Sequence, residues 1–565
     1  MSRPITRREF LKRSSQTAAG LAGGGIILQG CNSKKQFDML IRGGRVFDGT
    51  GAEEIIADIG IRGDLIEEIG GISPSRAKSI IEAKGLVVCP GFIDAHDHSN
   101  VELLVNPRAE SHIRQGITTV VSGNCGGSPF PLPDEIYEQK RAMLMKQYGL
   151  ELSWRDIKGF FDRLKVSRSA LNFSTFVGHG TIRKAAMGLD DRPPRAEELA
   201  AMKAMVEENI RAGALGISSG LAYAPGSFAQ SDEIAELCRV AVKSGGMYAT
   251  HMRDEGDSLL EALDEGIRVA ELTGIRIQVS HLKVAYPRNW PKVDAALARL
   301  EKAAASGIQV FCDRYPYIAG ETGLSSFNFP SWALEGTTEE FLARLKDPAM
   351  EGRLREYLEL RERQLGSWDK VVISSITTDK NRRFEGESIA NASRIAGKNV
   401  FEFLRDILIE ENNQTGQIIF MGSEENLKRI LAHPLVGIGC DGSALAPYGP
   451  LSYEKSHPRS YGTFPRVLGR YVRDEGICPL SEMIRKMTMV PAGNFGFAGR
   501  GILKPKAFAD IVIFDDSRIA DRATWSEPHR YPVGIEHVIV NGMPVIQNGE
   551  HTGSLPGRIL RRNPF

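Results

Sequence analysis

Apolar and polar positions change rhythm twice along this chain. From Phe37 to about Val88 the apolar residues come in short runs: Met39-Leu40-Ile41, Ala57-Asp58-Ile59-Gly60-Ile61 and Leu65-Ile66-Glu67-Glu68-Ile69, punctuated by Gly43-Gly44. That texture predicts strands. It returns at the far end in Asp510-Ile511-Val512-Ile513-Phe514 and in His537-Val538-Ile539-Val540, which turns at Asn541-Gly542 into Pro544-Val545-Ile546. Asn-Gly between two apolar runs is a strong hairpin signal. Two β-rich ends around a different middle predict one small β-sandwich assembled from residues 37–88 and 501–560.

In the middle, 89–500, short apolar runs alternate with stretches that are apolar at helical spacing, such as Glu197–Ala212, Asp232–Lys243, Leu259–Leu272 and Val293–Ala305. Eight runs end in polar or reactive residues: at His96, Ser122, Val177, Ser218, His251, His281, Asp313 and Asp441. Strand–helix alternation repeated eight times predicts an α/β fold, a (β/α)8 TIM-like barrel whose active site sits at the C-terminal strand ends. A stretch from about 325 to 413 separates the seventh and eighth runs. It carries helical patterns and a strand at Val371-Val372-Ile373-Ser374, and reads as an inserted subdomain.

Composition narrows the class. Of 565 residues, 42% are hydrophobic and 25% charged, with a formal net charge of +1. These values suit a globular enzyme and argue against nucleic acid as a partner; a small molecule is the expected one. The first 31 residues stand apart. Arg7-Arg8-Glu9-Phe10-Leu11-Lys12 resembles a twin-arginine export signal, and Leu28-Gln29-Gly30-Cys31 resembles a site where a lipoprotein is cut and its new N-terminal Cys lipidated. The expectation is an exported, periplasmic or cell-surface protein that touches membrane only through a lipidated Cys31. An ordinary cleaved leader is the alternative. The seven cysteines are scattered, with no CxxC pair, so no disulfide scaffold is expected.

The strand ends carry the chemistry. His96 and His98 are spaced so that alternation puts both imidazoles on one face of the first barrel strand, able to reach one metal. His251 and His281 end two adjacent strands. Each alone reads as a satisfied polar residue; together, opposite the His96/His98 pair, they make a convergent nitrogen set that suits zinc. Cys125, in Gly123-Asn124-Cys125-Gly126-Gly127, would be a strong thiolate ligand or else an inert buried thiol. Asp441, in Cys440-Asp441-Gly442, is a candidate general base; the alternative is a turn aspartate. His112, His433, His529, His537 and His551 lack strand-end placement and read as structural.

Pro90-Gly91-Phe92-Ile93-Asp94-Ala95-His96-Asp97-His98 resembles the opening metal motif of the amidohydrolase superfamily. Further motifs narrow the resemblance to the N-acyl-D-amino-acid deacylases (D-aminoacylases). They are Gly123-Asn124-Cys125-Gly126, Val177-Gly178-His179-Gly180, Thr250-His251-Met252-Arg253, Ser280-His281-Leu282-Lys283, Tyr315-Pro316-Tyr317 and His457-Pro458-Arg459. The resemblance runs from about Asp38 to Arg558 and implies zinc-dependent hydrolysis of N-acyl-D-amino acids. It implies that Cys125, His251 and His281 hold a tight zinc, that His96 and His98 belong to a second, weaker position, and that Asp441 is the general base. It also implies that Lys283, Tyr315 and Arg459 grip the substrate's α-carboxylate, with His179 near the leaving side. A guanidinium such as Arg459 can clamp a carboxylate bidentately; otherwise it makes a surface ion pair. One residue departs from the pattern: Glu321 stands where the family commonly has a small hydroxyl residue near that carboxylate. A carboxylate there repels an anionic substrate unless Lys283 or Arg459 neutralises it.

Two rivals remain at this stage. A cyclic-amide hydrolase of the dihydroorotase or hydantoinase kind needs a carboxylated lysine at the fourth strand, where this chain reads Ile217-Ser218-Ser219-Gly220-Leu221-Ala222-Tyr223. A surface-anchored binding protein on the same fold would lack catalysis.

Overall fold

The computed structural model describes residues 36–562. The expectations on Arg7-Arg8 and Cys31 lie outside the described residues. Eight parallel strand positions form the central barrel: Phe92–Asp94, Ile117–Ser122, Asn172–Thr175 with Val177–Gly178, Gly216–Gly220, Met247–His251, Ile277–Val279, Val310–Arg314 and Val436–Ile438. Neighbours pair in parallel register around the ring. The third strand is interrupted at Phe176, whose N–H still reaches the Ser122 carbonyl at 2.9 Å. First and last strands close the ring through Asp441 N–H to His96 O at 2.7 Å and His98 N–H to Gly442 O at 2.8 Å.

The helical stretches fold as their spacing predicts. Ser231–Lys243 turns Ile234, Leu237, Cys238 and Ala241 onto the barrel. Each large apolar side chain buried this way contributes about 1.5–3 kcal/mol. Helices Ala196–Ala212, Leu259–Thr273 and Val293–Ala305 do the same.

The two chain ends meet in one nine-stranded, sandwich-like sheet. The junction is antiparallel, Val87–Pro90 against Ile511–Phe514. Its core gathers Ile41, Ile59, Ile61, Ile511, Ile513 and Ile539 from both ends. At the expected hairpin, Asn541 and Gly542 have φ of 48° and 78°, the doubly left-handed geometry of a type I′ turn.

The insertion is wider than its helical pattern predicts. A three-stranded antiparallel sheet places Gly416–Phe420 between Ala319–Gly323 and Val371–Ser375. Two of these strands therefore lie outside the expected 325–413. Ala319–Gly323 holds two glycines, a glutamate and a threonine, and carries no alternation to betray it. The insertion has its own core, including Leu354, Phe384, Phe401, Leu404 and Ile407, and roofs the barrel mouth.

Candidate metal centre and active site

The C-terminal strand ends converge as their positions require. His96 lies fully buried between Asp313, 3.2 Å from its Nδ1, and Asp441, 3.2 Å from its Nε2. Cys125 Sγ stands 3.4 Å from His96 Nε2 and 3.5 Å from His281 Nε2. Donor atoms of His96, Cys125, His281 and Asp441 all lie within 4.8 Å of one another, and those of His251, Glu255 and His281 form a second, overlapping group. His98, one-third exposed, joins through Asp441 Oδ1 at 3.0 Å. His281 belongs to both groups, so the donors of Cys125, His251 and His281 meet those of His96 and His98 in one continuous cluster.

The backbone is bent to achieve this. Cys125, His281 and Asp441 have φ of 52°, 38° and 54°. Non-glycine residues in this region carry on the order of 1–3 kcal/mol of strain each, tolerated where surrounding structure over-determines them. Gly126 makes the Cys125 loop possible: a Cβ there would sit 2.7 Å from the Gly220 nitrogen.

The electrostatics favour anionic donors. Burial opposes ionisation of the Cys125 thiol, but His96 and His281 outweigh it and hold the thiol well below its usual range. Burial likewise opposes the Asp441 carboxylate, and Arg459, His96 and His281 hold it well below the ordinary value. His98 and His281 are pushed up to about 9 against burial, by Asp441 and Cys125 at His98 and by Glu255 and Asp441 at His281. Burial and the neighbouring His281 push His251 down. Neither ring nitrogen of buried His251 has a hydrogen-bond partner among the described residues. A buried imidazole with both nitrogens orphaned, beside a thiolate, further imidazoles and carboxylates, is what a zinc-like ion would satisfy.

The recognition residues line one cavity of about 300 Å³ with the centre. Lys283 Nζ pairs with Glu255 and lies 2.8 Å from His281 Nδ1. Arg459 Nη1 donates to Asp441 Oδ2 at 2.6 Å, and its guanidinium lies 5.0 Å from the centre of the Tyr315 ring. Burial works against ionising Tyr315, but Lys283, Arg314 and Arg459 more than offset it and lower its pKa. Glu321 faces the same cavity. His179 is not among the residues lining it; this histidine is buried, and its Nε2 lies 2.7 Å from Glu233 Oε1 on the helix Ser231–Lys243. The fourth-strand end supplies Ser219, bonded to Tyr248 at 2.7 Å, and no lysine.

Two site residues escaped the sequence reading. Glu255 is one of three acids in Asp254-Glu255-Gly256-Asp257, a loop without periodicity. Asp313 ends the seventh strand, the same signal that marks the histidines, and holds His96 Nδ1, the His281 N–H at 2.8 Å and Gln278 Nε2 at 2.7 Å.

A family model described as "Amidohydrolase family" matches residues 79–546. The D-aminoacylase of Alcaligenes xylosoxydans xylosoxydans is 36% identical over 531 residues, covering 94% of this chain and 99% of that protein. The N-acyl-D-glutamate deacylase of the same organism is 35% identical, covering 94% and 98%. The crystal structure of N-acyl-D-glutamate deacylase from Bordetella bronchiseptica, complexed with zinc and a phosphonate mimic of the tetrahedral intermediate, superposes with a TM-score of 0.79 at 34% identity. It covers 93% of this chain and all of that one. With likeness of this extent over a barrel mouth that gathers histidines, a thiol and an aspartate, the chain belongs to the amidohydrolase family and, within it, to the N-acyl-D-amino-acid deacylases.

Proposed function

We propose that this protein is a zinc-dependent enzyme that hydrolyses the acyl amide bond of N-acyl-D-amino acids, giving a carboxylate and a free amine. The observation that carries the reading is Asp441, an anionic carboxylate at the eighth strand end within 3.2 Å of His96 and 3.0 Å of His98. His96, Cys125, His251 and His281 would hold the metal, with His98 at its edge. When bound, zinc acts as a Lewis acid that polarises the acyl carbonyl and acidifies water.

The chain's own residues do the rest. Asp441 takes the proton of the attacking water on its carboxylate and returns it to the departing nitrogen. Arg459 holds Asp441 Oδ2, which leaves Oδ1, the oxygen that faces His96 and His98, to carry the proton. Lys283, Tyr315 and Arg459 bind and orient the acceptor side of the substrate's carboxyl end. Phe327, Ile419 and Met421 give the cavity an apolar side beside its charged groups.

The reading is tested on the full-length, zinc-loaded enzyme by amine release from paired N-acetyl-D- and N-acetyl-L-amino acids with apolar, acidic and basic side chains. Release from D substrates alone supports it; equal release from L substrates overturns it.

The twin-arginine and lipobox segments support a further reading of place: export in the folded state and anchoring through a diacylated Cys31. Cys31→Ala should move the enzyme from the membrane fraction to the soluble periplasmic or extracellular one; an unchanged distribution refutes anchoring.

A further inference from the structure

Three carboxylates line the cavity: Asp441, Glu255 and Glu321. Two cations face them, and each is already engaged, Lys283 by Glu255 and Arg459 by Asp441. Glu321 is left without a cation of its own. Its Oε2 accepts the His457 N–H at 3.2 Å, and the Ser374 hydroxyl also reaches it. Burial pushes its carboxyl up, against the pull of nearby Arg459. Its strand runs directly past Tyr315, where a Cβ on Gly320 would lie 3.3 Å from the Tyr315 hydroxyl. Arg459, whose charge acts on Glu321, lines the same cavity, and its buried Nε–H has no partner among the described residues.

The recognition end of the cavity therefore offers donors, Arg459 and Tyr315, together with an acceptor, Glu321. A free carboxylate presents only acceptors, so it would satisfy Arg459 and Tyr315 and set a second anion against Glu321 in a low-dielectric space. A carboxamide presents both: its C=O accepts from Arg459 or Tyr315, and its N–H donates to Glu321. Resting on the acyl-bond hydrolysis proposed above, we propose that Glu321 makes this enzyme selective for N-acyl-D-amino acids whose carboxyl group is carried as an amide. Water adds across the acyl C–N bond; the acyl carbon gains oxygen, the nitrogen gains a proton, and the C-terminal amide stays intact. Two sources supply that chemistry, a primary amide and the next residue of a peptide.

The test compares kcat/KM of the zinc-loaded full-length enzyme on N-acetyl-D-leucine, N-acetyl-D-leucinamide and N-acetyl-D-leucylglycine, with the L-leucine forms as controls. The same series is run on Glu321→Ser and Glu321→Gln, each checked for zinc content and melting temperature. The wild type should favour one or both amides at least tenfold over the free acid, the favoured one identifying the source. Glu321→Ser should shift that ratio at least tenfold toward the free acid. A wild type that favours the free acid overturns the proposal, as does an amide preference that Glu321→Ser leaves in place. Loss of all hydrolysis by the wild type, with zinc bound, overturns the deacylase reading itself, a different outcome from turnover of the free acid alone.

Discussion

Replacing Asp313 by asparagine removes one oxygen from a carboxylate that touches no substrate yet holds two of the metal-site histidines. Its Oδ1 accepts the His281 backbone N–H at 2.8 Å and lies 3.2 Å from His96 Nδ1; its Oδ2 accepts Gln278 Nε2 at 2.7 Å. An asparagine must present its NH2 to one side or the other. Toward His281 it meets a backbone donor that has no way to turn. Toward Gln278 it meets an amide whose nitrogen also donates to the Ala95 carbonyl at 2.9 Å, so flipping Gln278 loses that bond instead. Either orientation leaves a buried polar group unsatisfied, the His281 N–H in one and the Ala95 carbonyl in the other, at about 1–3 kcal/mol. The charge that fixes the His96 tautomer is lost as well. Loss of such an outer partner weakens metal binding about 10–100-fold, or about 1.4–2.8 kcal/mol. Zinc retention against a graded chelator, measured beside thermal melting, checks both effects. An Asp313→Asn enzyme that melts with the wild type and competes equally for zinc would falsify this account of how the histidines are held.

Other perturbations follow from the same geometry. Asp441→Asn should lower amine release about 10²–10⁴-fold while zinc content stays intact, since His96, Cys125, His251 and His281 remain; substantial turnover by the variant removes Asp441 as the proton carrier. Stripping the metal should lower the melting temperature, and restoring zinc to 100 times its dissociation constant should return about 2.7 kcal/mol; identical melting of both forms would show that the donors do not share an ion. Lys486 is buried and gives its ammonium protons to the carbonyls of Leu431 and His433, and burial pushes its pKa down from 10.5 to about 8. The folded state sheds this proton before the unfolded chain does. Stability from this group is therefore absent below pH 8 and grows as pH rises toward 10.5, by up to about 3 kcal/mol. Lys486→Met should abolish that rise in denaturant melts at pH 7, 8 and 10, and an unchanged pH profile would refute the assignment.

Much of this site is written in strand periodicity. His96, His98, Cys125, His251, His281 and Asp441 all sit where an apolar run gives way to a polar residue, and barrel geometry sends those ends to one mouth. What stayed hidden has a different origin. Glu255 sits on an irregular connection, where position depends on tertiary packing rather than on period, and Arg459, marked only by the family resemblance, opens the helix Arg459–Arg466. The pairing of Arg459 with Asp441, 18 residues away, is set by how the segment after the eighth strand folds back, and a charge pattern does not show it. His179 follows a short strand and carries a suggestive motif, yet its partner Glu233 belongs to a helix 54 residues on that claims the ring. The edge strand Ala319–Gly323 was missed because Gly320, Glu321 and Thr322 lack apolar alternation; its pairing with Gly416–Phe420 comes from backbone hydrogen bonds and the shared core beneath.

Barrel closure and site assembly are one event in this chain. The hydrogen bonds that zip the first strand to the last are made by the backbones of His96, His98, Asp441 and Gly442, the same stretch that carries ligand and base. An ion held between those side chains acts as a clasp across the seam, opposing the motion that would unroll the barrel. Metal occupancy then reports ring integrity, and local opening at this seam should be the slowest-exchanging part of the holoenzyme and the first to loosen without zinc.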